Sequence, residues 1–233
     1  MEYLPNGITL SLCDGAFPFS TDSMLLSHFV RLPKNARVLD LGSGCGTLGL
    51  LLCGKDPNCH VTGVELEETA HLEALENIRR NHLSARMESL CGDLRSLSGM
   101  FSPGSFSCCV SNPPYFSGGF SSRKLATARQ EGSCTPEDLF RCGGSLLKFG
   151  GDFFLVHKPE RLAELIATAA KHQLEAKRLC LVRHREWMPV NLILLQLRKG
   201  AKPGLVWEEI ILHRADGSPT QIYQEIYHIS DNS

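Results

Sequence analysis

The chain has 233 residues, of which 42 % are apolar and 21 % charged, a balance that excludes a disordered or fibrous protein. With 24 basic and 25 acidic side chains the formal net charge is −1. The broadly basic surface of a non-specific DNA binder is therefore absent, and any nucleic acid must be held by a local patch.

Ten cysteines include no CxxC pair, and several sit in apolar runs such as Phe106-Ser107-Cys108-Cys109-Val110. In a chain of this length they read as buried, reduced thiols rather than a disulfide scaffold or a structural zinc site. Met1 to Gly7 lack the basic start and apolar stretch of a signal peptide. No apolar run approaches the roughly 20 residues of a membrane span. The expectation is a cytoplasmic protein without a membrane or metal partner.

In chain order, Ala36 to Leu41 reads as a short buried strand and Thr47 to Cys53 as an apolar helix closed by Gly54 and Pro57. His60 to Glu65 is a second strand. The following helix is amphipathic, with Leu72, Leu75 and Ile78 on its apolar face. Arg86 to Leu90 and Phe106 to Ser111 are further strands. Helix Pro136 to Lys148 feeds strand Asp152 to His157, and helix Glu160 to His172 follows. Arg178 to Arg183 and Asn191 to Arg198 form a hairpin around a charged loop carrying Trp187 and Pro189.

Such alternation implies an α/β protein whose mostly parallel sheet is covered on both faces, with the final hairpin making the last strand antiparallel. Residues 1–233 read as one domain: an N-terminal entry segment over 1–35, a core over 36–200 and an extension over 201–233. That extension carries a strand (Val206 to Leu212), a turn at Asp216-Gly217 and a short helix (Gln221 to His228).

The first strand runs into Asp40-Leu41-Gly42-Ser43-Gly44-Cys45-Gly46-Thr47-Leu48-Gly49. Glycines there permit a tight turn and let a ligand approach backbone N–H groups at a helix start. Two ligand classes compete. Gly44 to Gly49 matches GxGxxG, with Glu65 following at a spacing near that of a ribose-binding acid, as for a dinucleotide. Asp40, however, would repel a pyrophosphate. It suits a cation such as S-adenosylmethionine, which carries an ammonium and a sulfonium and no phosphate. Glu65 is placed to accept the ribose hydroxyls, and Asp93, after the third strand, to accept from an adenine amino group. Each acid alone reads equally as a solvated loop carboxylate, but three in succession at strand ends mark a ligand site.

Asn112-Pro113-Pro114-Tyr115 follows the fourth strand. The prolines fix two φ angles and leave carbonyls as pure acceptors, and asparagine adds a side-chain carbonyl. Two acceptors are what an exocyclic NH₂ needs to be oriented, and Tyr115 is suited to stack on the ring that carries it. A merely rigid β–α turn is the plainer reading of the tetrapeptide by itself.

Asp40 to Gly46 together with Asn112 to Tyr115 resemble the class I S-adenosylmethionine-dependent methyltransferases that modify planar amino nitrogens. Phe17-Pro18-Phe19-Ser20-Thr21-Asp22-Ser23-Met24-Leu25-Leu26, Ala128-Arg129-Gln130-Glu131 and Leu155 to Leu162 narrow the likeness. They resemble the bacterial tRNA (adenine-37) N6-methyltransferases acting on valine tRNA, particularly the Gram-positive branch. That branch has a histidine where this chain has Gln130.

The resemblance implies a Rossmann-like, seven-stranded sheet and cofactor contacts at Asp40, Gly42, Gly44, Glu65, Asp93 and Asn112. Ser43 and Gly46 in the loop, and Leu66 and Leu94 beside the acids, extend that set, with Thr21 and Asp22 closing the pocket. The catalytic group is Asn112, Pro113, Pro114 and Tyr115.

The same tetrapeptide serves enzymes acting on DNA adenine, on RNA bases and on the glutamine amide of release factors. Only about 35 residues precede the first strand, too few for the helical domain of the release-factor enzymes, and no inserted domain follows Tyr115. An exposed base in a tRNA anticodon loop fits what remains, since extruding it costs little. Arg123, Lys124 and Arg129, with Arg183 and Arg185 farther along, are the candidate phosphate contacts, although such clusters are as often solvated faces. A release-factor glutamine methyltransferase, an N-methyltransferase acting on a small molecule or another nucleic acid, and a dinucleotide-dependent oxidoreductase or inactive binding protein stay as alternatives. A monomer is the expected state.

Overall fold

A computed structural model describes residues 2–3, 7–11, 21–113 and 134–227. Two short strands, β1 (Glu2–Tyr3) and β2 (Thr9–Leu10), pair with each other. The core then runs α1 (Thr21–Phe29), β3 (Arg37–Leu41), α2 (Thr47–Lys55), β4 (His60–Glu65), α3 (Glu68–Arg80), β5 (Met87–Cys91) and β6 (Phe106–Ser111). It continues with α4 (Pro136–Leu146), β7 (Leu147–His157), α5 (Leu162–Lys171), β8 (Leu174–Arg183), β9 (Leu192–Lys199), β10 (Val206–Ile211) and α6 (Gln221–Tyr227).

The main sheet has the order β10-β8-β9-β7-β6-β3-β4-β5, and only β9 runs against the others. The parallel strands therefore end together, and their carboxyl edge carries Leu41, Glu65, Cys91, Ser111, His157 and Arg183.

Strand parity divides the core. Val38, Val110, Phe154 and Val156 face α1 and α2, whereas Leu39, Leu41, Cys109, Phe153 and Leu155 face α4 and α5. Burial on both faces is what parallel strands of β-branched and leucine side chains require. Helix α4 starts at a capping box, Thr135 with Asp138, behind Pro136 at its first position. Among the described residues no helix is long and apolar enough to cross a membrane.

The structure revises three expectations. The sheet has eight strands rather than seven. Val206–Ile211, expected as a strand of the extension, pairs with Arg178–Arg183 of β8 along its whole length. Arg178–Glu208 and Arg183–Glu209 ion pairs and the buried Ile210 fasten it there.

Of the expected apolar face of α3, Ile78 is buried, but Leu72 and Leu75 lie exposed and Ala74 and Asn77 pack in their place. Small Ala74 and polar Asn77 let the helix approach the backbone of β2 and the glycine loop, a contact no leucine could make. Met24-Leu25-Leu26 belongs to a helix, α1, within the N-terminal entry segment.

Of the nine described cysteines, Cys91 is exposed, Cys134 half-buried and the other seven buried. Burial pushes the Cys142 and Cys180 thiols up to about 12. Cys13 lies outside the described residues.

Candidate active site

The glycine loop leaves β3 at Leu41 and enters α2 at Thr47. Its N–H groups are partly used inside the turn: Gly42 and Ser43 donate to the Val64 carbonyl, and Gly46 donates to that of Ser43. Gly42, Gly44 and Gly46 all have positive φ. At Gly44 (φ 55°) no atom lies within 4 Å of the direction a side chain would take, so the backbone there faces open space. Gly49, one turn into α2, serves packing, because a Cβ there would lie 2.5 Å from the Met87 methyl group.

Asp40 sits beneath this loop, 1 % exposed, and its Oδ2 has no hydrogen-bond partner. Burial, reinforced by the neighbouring Glu65 carboxylate, pushes its pKa up to about 7, while the Gly49 N–H at the start of α2 pulls it down. Ser43 Oγ is buried and unpartnered as well. Two orphaned polar groups under an open glycine turn fit a cationic, hydrogen-bonding ligand better than a phosphate.

Glu65 ends β4 half-buried. Its Oε2 accepts from Gly44 N–H at 2.7 Å and its Oε1 from Glu67 N–H at 2.9 Å, so it is bound to the glycine loop directly. Leu66 beside it is exposed. Asp93 caps the 3₁₀ turn Leu94–Gly99 through Arg95 N–H and pairs with the Arg95 guanidinium. That guanidinium holds the Asp93 carboxyl below the usual range, leaving it an ionised acceptor with Arg95 over it. Leu94 packs on the α4 side of the core.

On the adjacent strand, the β3–β6 ladder pairs Asp40 with Val110 and ends there. Ser111 continues it with a side chain: its Oγ donates to the Leu41 carbonyl at 2.7 Å. The strand end that carries Asn112 is thereby tied to the residue that opens the glycine loop. Asn112 Nδ2 donates to Ser23 Oγ of α1 at 3.0 Å. Pro113 is buried. Pro114, Tyr115, Arg123, Lys124, Arg129 and Gln130 lie outside the described residues.

Thr21 and Asp22 form the first turn of α1, close to the same place. Thr21 hydrogen-bonds the Tyr227 phenol of α6, whose pKa is raised by burial.

The basic residues expected on RNA divide. Arg183 is committed to Glu209 and to the Met188 carbonyl; on the same strand Arg178, outside that candidate set, is held by Glu208, Gln196 and the ring of Phe29. Both serve the attachment of β10 and α1. Arg185 makes no ion pair among the described residues and lies over the Trp187 ring. His157 is fully buried, and burial lowers its pKa. Its Nδ1 accepts from Lys158 N–H, which suits a neutral core histidine rather than a catalytic base.

Three contributors escape sequence reasoning. Ser23 and Ser111 hold the Asn112 strand end. Asn77 of α3 donates to the Cys45 carbonyl inside the glycine loop, and it both donates to and accepts from the backbone of Ser11.

Residues 19–169 match the methyltransferase small domain family. A tRNA1(Val) (adenine(37)-N6)-methyltransferase of Aeromonas hydrophila is 30% identical over 214 residues, covering 91% of this chain and 89% of that protein. The chain belongs to the tRNA1(Val) (adenine(37)-N6)-methyltransferase family. Solved structures agree on the fold. A predicted O-methyltransferase from Agrobacterium tumefaciens superposes with a TM-score of 0.75 at 22% identity, covering 89% of this chain and 96% of its own. A geranyl diphosphate C-methyltransferase from Streptomyces coelicolor, solved with S-adenosyl-L-homocysteine, gives 0.57 at 12% identity over 76% of each chain. The Rossmann-like methyltransferase fold expected from the family is the one observed.

Proposed function

We propose that this chain transfers a methyl group from S-adenosylmethionine to the exocyclic N6 of an adenine in tRNA, namely A37 of a valine tRNA, in the cytoplasm. The observation that carries the reading is the placement of Asn112. Its amide is fixed by Ser23 and its strand is tied by Ser111 to the mouth of the glycine loop. Amine acceptor and cofactor loop thus sit on neighbouring strands, about 5 Å apart.

When bound, S-adenosylmethionine supplies an electrophilic methyl on a sulfonium. Asp40 and Ser43, with their unpartnered oxygens, hold the cationic methionine end. Glu65 receives the ribose hydroxyls, and Asp93 receives the adenine amino group. The Asn112 side chain and the Pro113 carbonyl accept the two N–H bonds of the target amine and aim its nitrogen. Tyr115 stacks on the target base. The protein contributes proximity and orientation, and the amine loses its proton after transfer, so no strong base is needed.

The test is methyl transfer from tritiated S-adenosylmethionine to unmodified total tRNA, with release factor and DNA as parallel acceptors, followed by nucleoside analysis. N6-methyladenosine in tRNA alone is the expected result. Label in release factor would reassign the acceptor to a glutamine amide. No label in any acceptor, despite cofactor binding, would sink the proposal.

A further inference from the structure

The loop between β8 and β9, His184-Arg185-Glu186-Trp187-Met188-Pro189-Val190, is not used by the cofactor site. Register fixes where it stands. Ser111 is level with Leu155, Leu155 with Leu195 and Leu195 with Leu179. Strand β8 runs on from Leu179 to Arg183, so the loop begins about 13 Å above the level of Ser111. Sideways, three strand spacings separate β8 from the strand of Asn112, about 14 Å.

The loop is braced. Arg183 donates to the Met188 carbonyl, Met188 N–H to Arg185, Asn191 N–H to Val182, and Lys158 Nζ to Asn191. On this support Trp187 is 61 % exposed, with the Arg185 guanidinium 5.7 Å from its ring centre. Phe149 near the start of β7 and Trp207 near the start of β10 are as exposed, but Trp187 stands on the loop that follows the carboxyl end of β8, beside a guanidinium that makes no ion pair among the described residues. Behind it, His184, His213, Tyr223 and Tyr227 form a row of ring contacts that ends at Thr21, in the same turn of α1 as Ser23.

We propose that Trp187 and Arg185 form a stacking platform for an unpaired RNA base flanking the target adenine. This rests on the proposed tRNA activity. The charge and the rings suit single-stranded RNA: indole stacks on any base, and guanidinium both stacks and meets phosphate. The distances place the platform beside the catalytic pocket and outside it, so it takes a neighbouring nucleotide and contributes to substrate binding, not to the methyl-transfer step.

The full chain tests this with two readouts. In steady-state methylation of unmodified valine tRNA, Trp187→Ala raises KM for tRNA roughly tenfold, leaving kcat at saturating tRNA and cofactor affinity unchanged, and Trp187→Phe restores most of the loss. Arg185→Ala weakens tRNA binding and flattens its salt dependence. In a Trp207→Phe background, where Trp187 is the remaining indole, an oligoribonucleotide copy of the anticodon loop quenches its fluorescence. An unchanged KM in Trp187→Ala, or quenching absent from that background, overturns the platform. A change in oligomeric state on losing Trp187 would overturn it too, marking a self-association face. Quenching by RNA in a protein that methylates no tRNA would overturn the proposed activity and leave the platform standing.

Discussion

Ser23 and Asn112, 89 residues apart in sequence, are joined by a 3.0 Å hydrogen bond from the asparagine amide to the serine hydroxyl. An amide gripped through its nitrogen presents its carbonyl oxygen on the opposite side. Helix α1 thereby sets the direction of an acceptor that lies on another strand. Ser23→Ala should lower kcat by about tenfold, the worth of roughly one hydrogen bond in the transition state, with cofactor affinity held within twofold. Ser23→Thr keeps the hydroxyl and should recover most of the rate. Equal losses of kcat and cofactor affinity would assign Ser23 to folding instead.

That contact also marks where sequence reading stops. The Asp40–Gly49 loop, the acids at strand ends and Asn112-Pro113 were legible because their chemistry is local, with glycine and proline conformations and carboxylates in one stretch. The strand–helix alternation followed from hydrophobic period in the same way. Ser23, Asn77 and Ser111 carry no local signal, since each acts on a backbone or side chain at least 30 residues away. Helix α1 was hidden for another reason: it is buried nearly all round, from Ser23 to Ser27 and at Phe29, so it shows no amphipathic period. On α3 the period was visible but pointed to Leu72 and Leu75, whereas the site required a buried asparagine.

Asp40 makes cofactor binding pH-dependent. Burial raises its pKa from the ordinary aspartate range near 3.8 to about 7 in the ligand-free protein, so folding holds a proton on it and stability falls as pH rises from about 4 to 7. A cationic ligand favours the ionised form and releases that proton. Affinity for S-adenosylmethionine should therefore rise about tenfold from pH 6 to pH 8, following the ionised fraction. Asp40→Asn should weaken binding at pH 8 and remove its pH dependence, while making the free protein more stable there. Isothermal titration in buffers of different ionisation enthalpy reads both the affinity and the proton release. A flat profile in the wild-type chain would remove Asp40 from the cation site.

Asn77 holds the N-terminal segment and the glycine loop with one side chain. It is fully buried, takes Ser11 N–H at 2.8 Å, and gives to the carbonyls of Ser11 at 2.9 Å and Cys45 at 3.0 Å. Asn77→Ala removes all three hydrogen bonds and opens a small cavity. The expected cost is about 2–4 kcal/mol in urea unfolding, together with weaker cofactor binding because the Cys45 carbonyl is released. Asn77→Leu should fare no better, since it fills the space but satisfies none of the polar groups. Unchanged cofactor affinity in a folded Asn77→Ala protein would separate the loop from this brace.

Lys55 does for the far end of α1 what Ser23 exploits at its start. Its ammonium donates to the carbonyls of Ser27 at 2.8 Å, His28 at 3.2 Å and Val30 at 2.7 Å, capping the last turn with the charge the helix dipole favours. Lys55→Met keeps the apolar stem and removes the charge, leaving those carbonyls to water or to nothing. Stability should fall by about 1–3 kcal/mol. Because α1 also carries Ser23, the loosened helix should lower kcat more than it raises KM for cofactor. Hydrogen exchange across Thr21–Phe29 reads the loosening directly. A variant whose α1 amides exchange as slowly as in the wild-type chain would show that core packing at Met24, Leu25, Leu26 and Phe29 holds the helix without the cap.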